Sequence, residues 1–511
     1  VVECVRYFSM LGYDVLTWCL MNALGGGGRN RVQADGMLTS PWLRALSSFA
    51  GSIFKRYSAM DPSPILQYVT NELRAGNSTD LEVLEQIITE MVGIKSDMTF
   101  NESQVLAMAG GPVLKAQTLI SLLDERHKME KPSRRLIKAL TEPGLAGQLL
   151  ISVAQESQMY AHHESTQDAP LKVLGNNMDK LYQVFNQYLE TLRSTLQPDE
   201  FDAVVPDTVS LMGDFGLEPS IAFMIGRASI AHAIAQSDAA KKAEQLARRS
   251  SQSAAANNDV TMADAEEKDV KTEGNPSPPT EEKPVLSLTE TDAEMKSVAH
   301  ANGVDTTTPT PSPESHWHPV LTPLIEKTRA LLGDKLEQSI SIPFYVTFWT
   351  LGLEDILVNT NSYDQELATQ SHLITQINND RNDVTGKGMQ EKDKRKKAIS
   401  ELREKLTQEM KSQIGAYTQV RNRLNKEKDH WFTDFHNKVE LLHTSLLQNC
   451  FLPRMMNSPL DAHYTYMMLK FLHNNGAPGF RTMHLLDRLL RKNQLSSLMF
   501  QCTPRESENF G

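Results

Sequence analysis

Apolar residues recur along most of this chain at steps of three and four, and the strict alternation of a half-buried strand is hard to find. Ser40-Pro41 reads as a helix N-cap followed by a first-turn proline, after which Trp42, Leu46, Phe49, Ile53 and Phe54 form one face. Ser63-Pro64 repeats the device ahead of Ile65, Leu66, Val69 and Leu73. Thr79-Asp80-Leu81-Glu82 has the form of a capping box, and Leu81, Leu84, Ile87, Ile88, Met91 and Val92 follow it up to Gly93. Helices arrive roughly every 20 residues, and pairing them gives a unit of about 40, the length of a HEAT-like repeat.

The pattern breaks once. From 237 to 315 there is no aromatic residue, and Ala, Ser, Thr, Glu, Lys and Pro dominate. Such a composition cannot bury enough apolar surface to offset chain entropy. A disordered insertion is expected over 236–316, with a short helix around "AAKKAEQLARR". Ser277, Thr308, Thr310 and Ser312 each precede a proline and are candidate sites for a proline-directed kinase.

Beyond the insertion, Ser341 and Pro343 start a helix carrying Phe344, Tyr345, Phe348 and Trp349, extended by Leu351, Leu353, Ile356 and Leu357. A base-stacking platform sets aromatics beside Arg or Lys, whereas Glu354 and Asp355 flank this stretch. It is expected to be buried core. From 362 to 430 the chain is charged and almost free of proline, and Met410, Tyr417, Leu424 and Trp431 are spaced by sevens. Leu367, Leu373, Ile374 and Ile377 supply an antiparallel partner, with a turn over 378–388. The expectation is therefore all-α: an α-solenoid of helical repeats with a charged antiparallel hairpin and a disordered insertion. Helical repeats occupy 1–235, a segment continuing them 317–361, the hairpin 362–430 and further repeats 431–511.

Composition narrows the chemistry. A net charge of −11 over 511 residues argues against bulk attraction to polyanions, so any nucleic-acid contact must be a local basic patch. The sharpest such patch is Lys392, Lys394, Arg395, Lys396 and Lys397, a candidate nuclear-localisation or phosphate-contact tract with no aromatic residues interleaved. Cys4, Cys19, Cys450 and Cys502 are scattered without a CxxC pair, which points to a reducing compartment. No run reaches membrane-span length, and the apolar opening lacks a signal-peptide layout. The absence of a starting Met and the ending "ENFG" suggest an excerpt of something longer.

Gly25 to Gly28 leads into Arg29-Asn30-Arg31 rather than the Lys-Ser/Thr of a phosphate loop and reads as a helix connector. Gly110-Gly111-Pro112 reads as a turn. His162-His163-Glu164 and His316-Trp317-His318 lack helical ligand spacing and read as surface histidines. No nucleophile elbow or Cys/His pair is present, so neither an enzyme nor a cofactor is expected.

Three blocks together resemble the large scaffold subunit of the THO complex, the THO subunit 2 family. They are "DGMLTSPWLRALSSFAGSIFKRY" with "ILQYVTNELRAGNSTDLEVLEQIITEMVGI"; "SIPFYVTFWTLGLEDI" with "SYDQEL"; and "CFLPRMMNSPLDAHYTYMMLKFLHNNGAPGFRTMHLLDRLL" with "FQCTPRESENFG". The resemblance implies a nuclear, non-enzymatic scaffold of MIF4G-like and HEAT-like repeats, corresponding to the middle of that subunit. Its implied partners are other THO subunits, notably subunit 1, the DEAD-box RNA helicase of the TREX complex and the mRNA ribonucleoprotein. An alternative from the residues themselves is a direct RNA-binding module using the tract at 392–397.

Overall fold

A computed structural model describes residues 2–26, 28–122, 124–258, 316–379, 386–435, 437–491 and 494–510. The described residues fall into two units, one within 1–236 and 315–511, the other within 237–314. Apart from a single bridge between Val32 and Thr39, regular structure among them is helical. Helices pack as repeats of the HEAT- and MIF4G-like kind.

In the first stretch the helices are α1 (Met10–Gly25), α2 (Pro41–Arg56), α3 (Ser63–Arg74), α4 (Leu81–Met91), α5 (Glu102–Ala107) and α6 (Pro112–Ser121). They are followed by α7 (Glu130–Thr141), α8 (Leu145–Met159), α9 (Leu171–Thr195), α10 (Pro198–Val204), α11 (Thr208–Gly213) and α12 (Pro219–Asn258). α2 lies on α4, α3 on α8, and α4 and α8 on α9. The partner of a helix is thus often not its neighbour in sequence. Close approach decides some of these contacts: a Cβ on Gly51 would meet the Gln86 carbonyl of α4 at 2.8 Å.

The start signals are used in more than one way. Ser40 is the N-cap of α2, but its hydroxyl donates to the Asn30 carbonyl at 2.6 Å rather than capping. Ser63 is the first residue of α3 rather than its cap. The capping box expected over 79–82 does not form. Asp80 turns inward to Arg31 and to the Tyr68 hydroxyl (2.9 Å), and Glu82 is buried against Lys180 of α9. Long-range charges outcompeted the local cap. Gly93, just past α4, has φ +84°, and a Cβ there would collide with the backbone of Glu125 and Arg126.

α12 carries helix past the boundary expected at 236, and the helix read around "AAKKAEQLARR" is its later part. The rest of the insertion, with Ser277, Thr308, Thr310 and Ser312, lies outside the described residues.

After it come α13 (Leu321–Glu337), α14 (Ile342–Thr350), α15 (Leu353–Ile356), α16 (Thr360–Asn379) and α17 (Gly386–Glu427). The chain then continues as α18 (Val439–Leu446), α19 (Leu452–Asn457), α20 (Pro459–Asn475), α21 (Thr482–Leu490), α22 (Gln494–Gln501) and α23 (Pro504–Phe510). α14 is the aromatic helix. Ser341 Oγ caps it by accepting from Phe344 N at 3.4 Å, and Pro343 sits in its first turn. The expected single buried stripe is corrected here. Ile342 and every residue from 344 to 350 are buried, so α14 is enclosed all round, and the chain turns after Thr350 instead of extending the stripe. Phe344 meets Trp431 edge-on, and Phe348 packs against Phe451 and Tyr464. These rings join a contiguous hydrophobic cluster that includes Phe54, Ile87, Leu149 and Tyr188.

α18 and α19 are joined by a π-helical turn over Leu447–Phe451. Pro453 explains it: within a helix its ring crowds the carbonyl four residues back, and it brings no N–H for that carbonyl. That carbonyl belongs to Asn449, and Trp349 Nε1 donates to it at 3.2 Å. The breaker in one helix and the largest ring of another are therefore complementary.

Candidate functional site

The charged hairpin is α16 packed along α17, joined through 380–385. Its run of sevens does not act as one seam. Leu402, Leu406 and Met410 form a small cluster with Tyr363 and Leu367 of α16 and with Val113 and Leu114 of α6. Val420 and Leu424 instead join the main core, and Ile414, between Met410 and Val420, is exposed. The heptad is interrupted because the partner of α17 changes from α16 and α6 to α15 along its length.

At that change sits a polar node. α6 begins with Gly111 as N-cap and Pro112 in its first turn, so no side chain of its own caps the free N–H groups. Glu409 of α17 supplies the acceptor, taking hydrogen bonds from Val113 N (2.7 Å) and Leu114 N (3.0 Å). A carboxylate at this end also suits the helix dipole. Gln413 Nε2 donates to the Ala109 carbonyl at 2.5 Å. The buried Tyr363 hydroxyl accepts from Gly111 N (2.9 Å) and lies 2.7 Å from Gln413 Oε1 and 3.1 Å from Glu409 Oε1. Burial, with the Glu409 carboxylate beside it, pushes that phenol up to about 12. A Cβ on Gly111 would run into the Glu409 carboxyl. Sequence reasoning took 110–112 for a plain turn and did not single out Glu409. The signal available was a Gly-Pro helix start that needs an outside acceptor.

The basic tract occupies α17 near its start. Lys394, Arg395 and Lys397 are exposed, Lys392 and Lys396 are half-buried, and Lys396 approaches Asp393 at 3.9 Å. Twelve residues separate Lys397 from Glu409, about 18 Å of helix. At its other end α17 enters the core. Glu427 is 1% exposed, with Arg423 at 3.6 Å and with Thr347 of α14 and the His318 backbone as neighbours. Burial pushes its carboxyl up to about 7 against the opposing pull of Arg423. His318 is buried, which corrects its reading as a surface histidine, while His316 stacks on His430 at 3.7 Å. His163 pairs with Glu156 at 3.1 Å.

Behind the hairpin, Arg454 of α19 is fully buried and holds the end of α14. It donates to the Phe348 and Leu351 carbonyls and, through Nε, to Asp461 at 3.0 Å, with its guanidinium 3.4 Å from the Tyr464 ring centre. Arg227 of α12 reaches the same carboxylate at 2.9 Å. Burial opposes the charge on Asp461, yet Arg227 and Arg454 outweigh it and hold the carboxyl below its usual range. Asp179 of α9 accepts from Thr503 Oγ1 (2.6 Å) and Arg505 N (3.2 Å), which joins the first stretch of helices to the last.

Among the described residues no group of His, Cys, Asp or Glu side chains is arranged to hold a metal, and no helix is long and apolar enough to cross a membrane. The four cysteines are free thiols. A cavity of about 340 Å³ between α18, α21 and α22 is lined by Leu447, Leu452, Leu489 and Leu498, and its one charged residue, Arg488, pairs with Glu440 at 2.8 Å.

A family described as "Transcription factor/nuclear export subunit protein 2" matches residues 337–511, and one described as "Transcription- and export-related complex subunit" matches residues 1–47. The chain is 28% identical over 512 residues to THO complex subunit 2 of Dasypus novemcinctus and, equally, to that of Homo sapiens. It is 27% identical over 517 residues to that of Arabidopsis thaliana. Each match covers 100% of this chain, which spans 28% of the length of the two animal proteins and 26% of the plant protein. Similarity to THO complex subunit 2 thus runs along the whole of this chain, with one family match at each of its two ends.

Proposed function

We propose that this chain is a non-enzymatic nuclear scaffold of the THO/TREX assembly, which couples transcription to mRNA processing and export. In this reading it organises other THO subunits, notably subunit 1, and positions a DEAD-box RNA ATPase. The observation that carries the proposal is the hairpin keyed into helical repeats at Glu409 and buried at its far end. A rod fixed at two points holds partners at a set distance and angle. Such a scaffold stimulates an ATPase only by binding its productive lobe arrangement better than the others.

Crosslinking mass spectrometry of the chain with THO subunits and the ATPase, alongside RNA-stimulated ATP hydrolysis, tests this. Crosslinks on the repeats with faster hydrolysis are expected. Absence of both would overturn the proposal. A second reading, direct RNA contact through the tract, is favoured by the exposure of Lys394, Arg395 and Lys397. It predicts salt-dependent RNA binding that is lost when those three are neutralised, with ATPase stimulation left intact.

A further inference from the structure

The second unit holds a basic stripe that neither the scaffold reading nor the hairpin tract uses. Residues 239–249 read "AAKKAEQLARR", with four cations and one carboxylate in a chain of net charge −11. They belong to α12, and every one is exposed. Lys241, Lys242, Arg248 and Arg249 stand at i, i+1, i+7 and i+8. Seven residues are close to two full turns, so the Lys pair and the Arg pair share a face about 10 Å apart. Arg248 pairs with Glu244 at 2.7 Å, whereas Lys241, Lys242 and Arg249 make no ion pair among the described residues.

The rest of the stretch explains why it is helical without being packed. Ala, Lys, Gln, Leu and Arg are strong helix formers. Leu246 is the one large apolar side chain and is 66% exposed. A folded protein partner would need buried aromatic or aliphatic anchors at the centre of the contact, and this face has none to give. What it offers is three cations, Lys241, Lys242 and Arg249, beside a fourth, Arg248, that is shared with Glu244, a set suited to phosphate oxygens and indifferent to bases.

We propose that residues 241–249 form a binding stripe for the phosphodiester backbone of a nucleic acid, independent of sequence. This goes beyond the scaffold reading and does not rest on it. The test measures binding of a 20-nucleotide oligo-uridine and an oligo-deoxythymidine to the whole chain between 50 and 200 mM salt. The wild type is compared with two variants. One carries Lys241→Gln, Lys242→Gln, Arg248→Gln and Arg249→Gln, and the other neutralises Lys394, Arg395 and Lys397.

Three to four phosphate contacts contribute a slope of about −2 to −3 to log K against log salt on a single strand. The stripe variant is expected to lose up to that much slope and at least about tenfold in affinity at 50 mM salt, with helical circular dichroism unchanged. Equal loss with both oligomers assigns the site to the backbone, and loss with oligo-uridine alone would make RNA its source. An unchanged slope in the stripe variant, binding abolished by the tract variant alone, or tighter binding of polyglutamate or anionic vesicles than of either oligomer would overturn the proposal.

Discussion

Replacing Arg454 by Met removes the guanidinium that terminates α14 while keeping a flexible side chain of similar length. The Phe348 carbonyl keeps the Tyr464 hydroxyl at 2.9 Å, but the Leu351 carbonyl loses the donor that Arg454 supplied, and Asp461 is left with Arg227 alone. An unsatisfied buried carbonyl costs about 1–3 kcal/mol. Breaking a buried ion pair from one side costs about 3–5 kcal/mol, and the cation–ring contact with Tyr464 adds roughly 1–2 kcal/mol. These terms overlap, since they describe one group, and the apolar thioether returns part of the loss. A net destabilisation of about 3–5 kcal/mol is expected. Urea unfolding followed by tryptophan fluorescence reads it well, because Trp349 and Trp431 are both buried beside this region. Arg454→Lys should recover less than half, since one ammonium cannot span two carbonyls and Asp461 in the geometry of a planar fork. A loss below about 1 kcal/mol for the Met variant, or full recovery with Lys, would show that the buried cluster does not hold α14.

Three further outcomes are expected. Trp349→Ala removes a side chain that is 1% exposed and orphans the Asn449 carbonyl, so it should cost about 3–5 kcal/mol in the same assay; unchanged melting with lost partner binding would return the aromatic helix to a recognition role. Gly111→Ala forces the Glu409 carboxyl off α6 and should cost roughly 1–3 kcal/mol, with amide exchange accelerating at the base of the hairpin and not in α3 or α4. Glu427→Gln tests a proton linkage. A folded-state value of about 7 against an ordinary 4.5 means the native protein binds this proton more tightly than the unfolded chain, so its stabilising effect is complete below pH 4.5 and lost as pH rises through 7. The Gln variant should therefore be more stable than wild type at pH 8 by roughly 3 kcal/mol and gain little at pH 5; equal gains at both would refute the linkage.

Helix content and the buried identity of α14 were legible because both follow from local patterns, three-to-four spacing and Ser-Pro or Ser-x-Pro starts. Pairing was not, because the features that decide it are far apart in the chain. Glu409 caps a helix almost 300 residues away, and Glu82 left its predicted cap for Lys180, 98 residues on. The even spacing of Met410, Tyr417, Leu424 and Trp431 suggested one seam. Spacing reports that a face is apolar, not how many neighbours share it. Arg454 and Asp461 fell within a block carrying the family resemblance, yet nothing in their type or spacing distinguishes a buried ion pair from an exposed i,i+7 pair.

The π-helical turn before Pro453 also sets angular phase. One residue advances an α-helix by about 100°, so the extra residue in that turn fixes the direction in which everything after it points. Deleting one residue from 447–451 would let the backbone relax to regular helix and swing Arg454 about a quarter-turn away from Phe348 and Leu351. A substitution after this turn changes the contacts of one side chain, but a change of length would change those of every side chain beyond it together. The segment from α18 through α19 behaves as a screw thread, and its pitch is part of the fit.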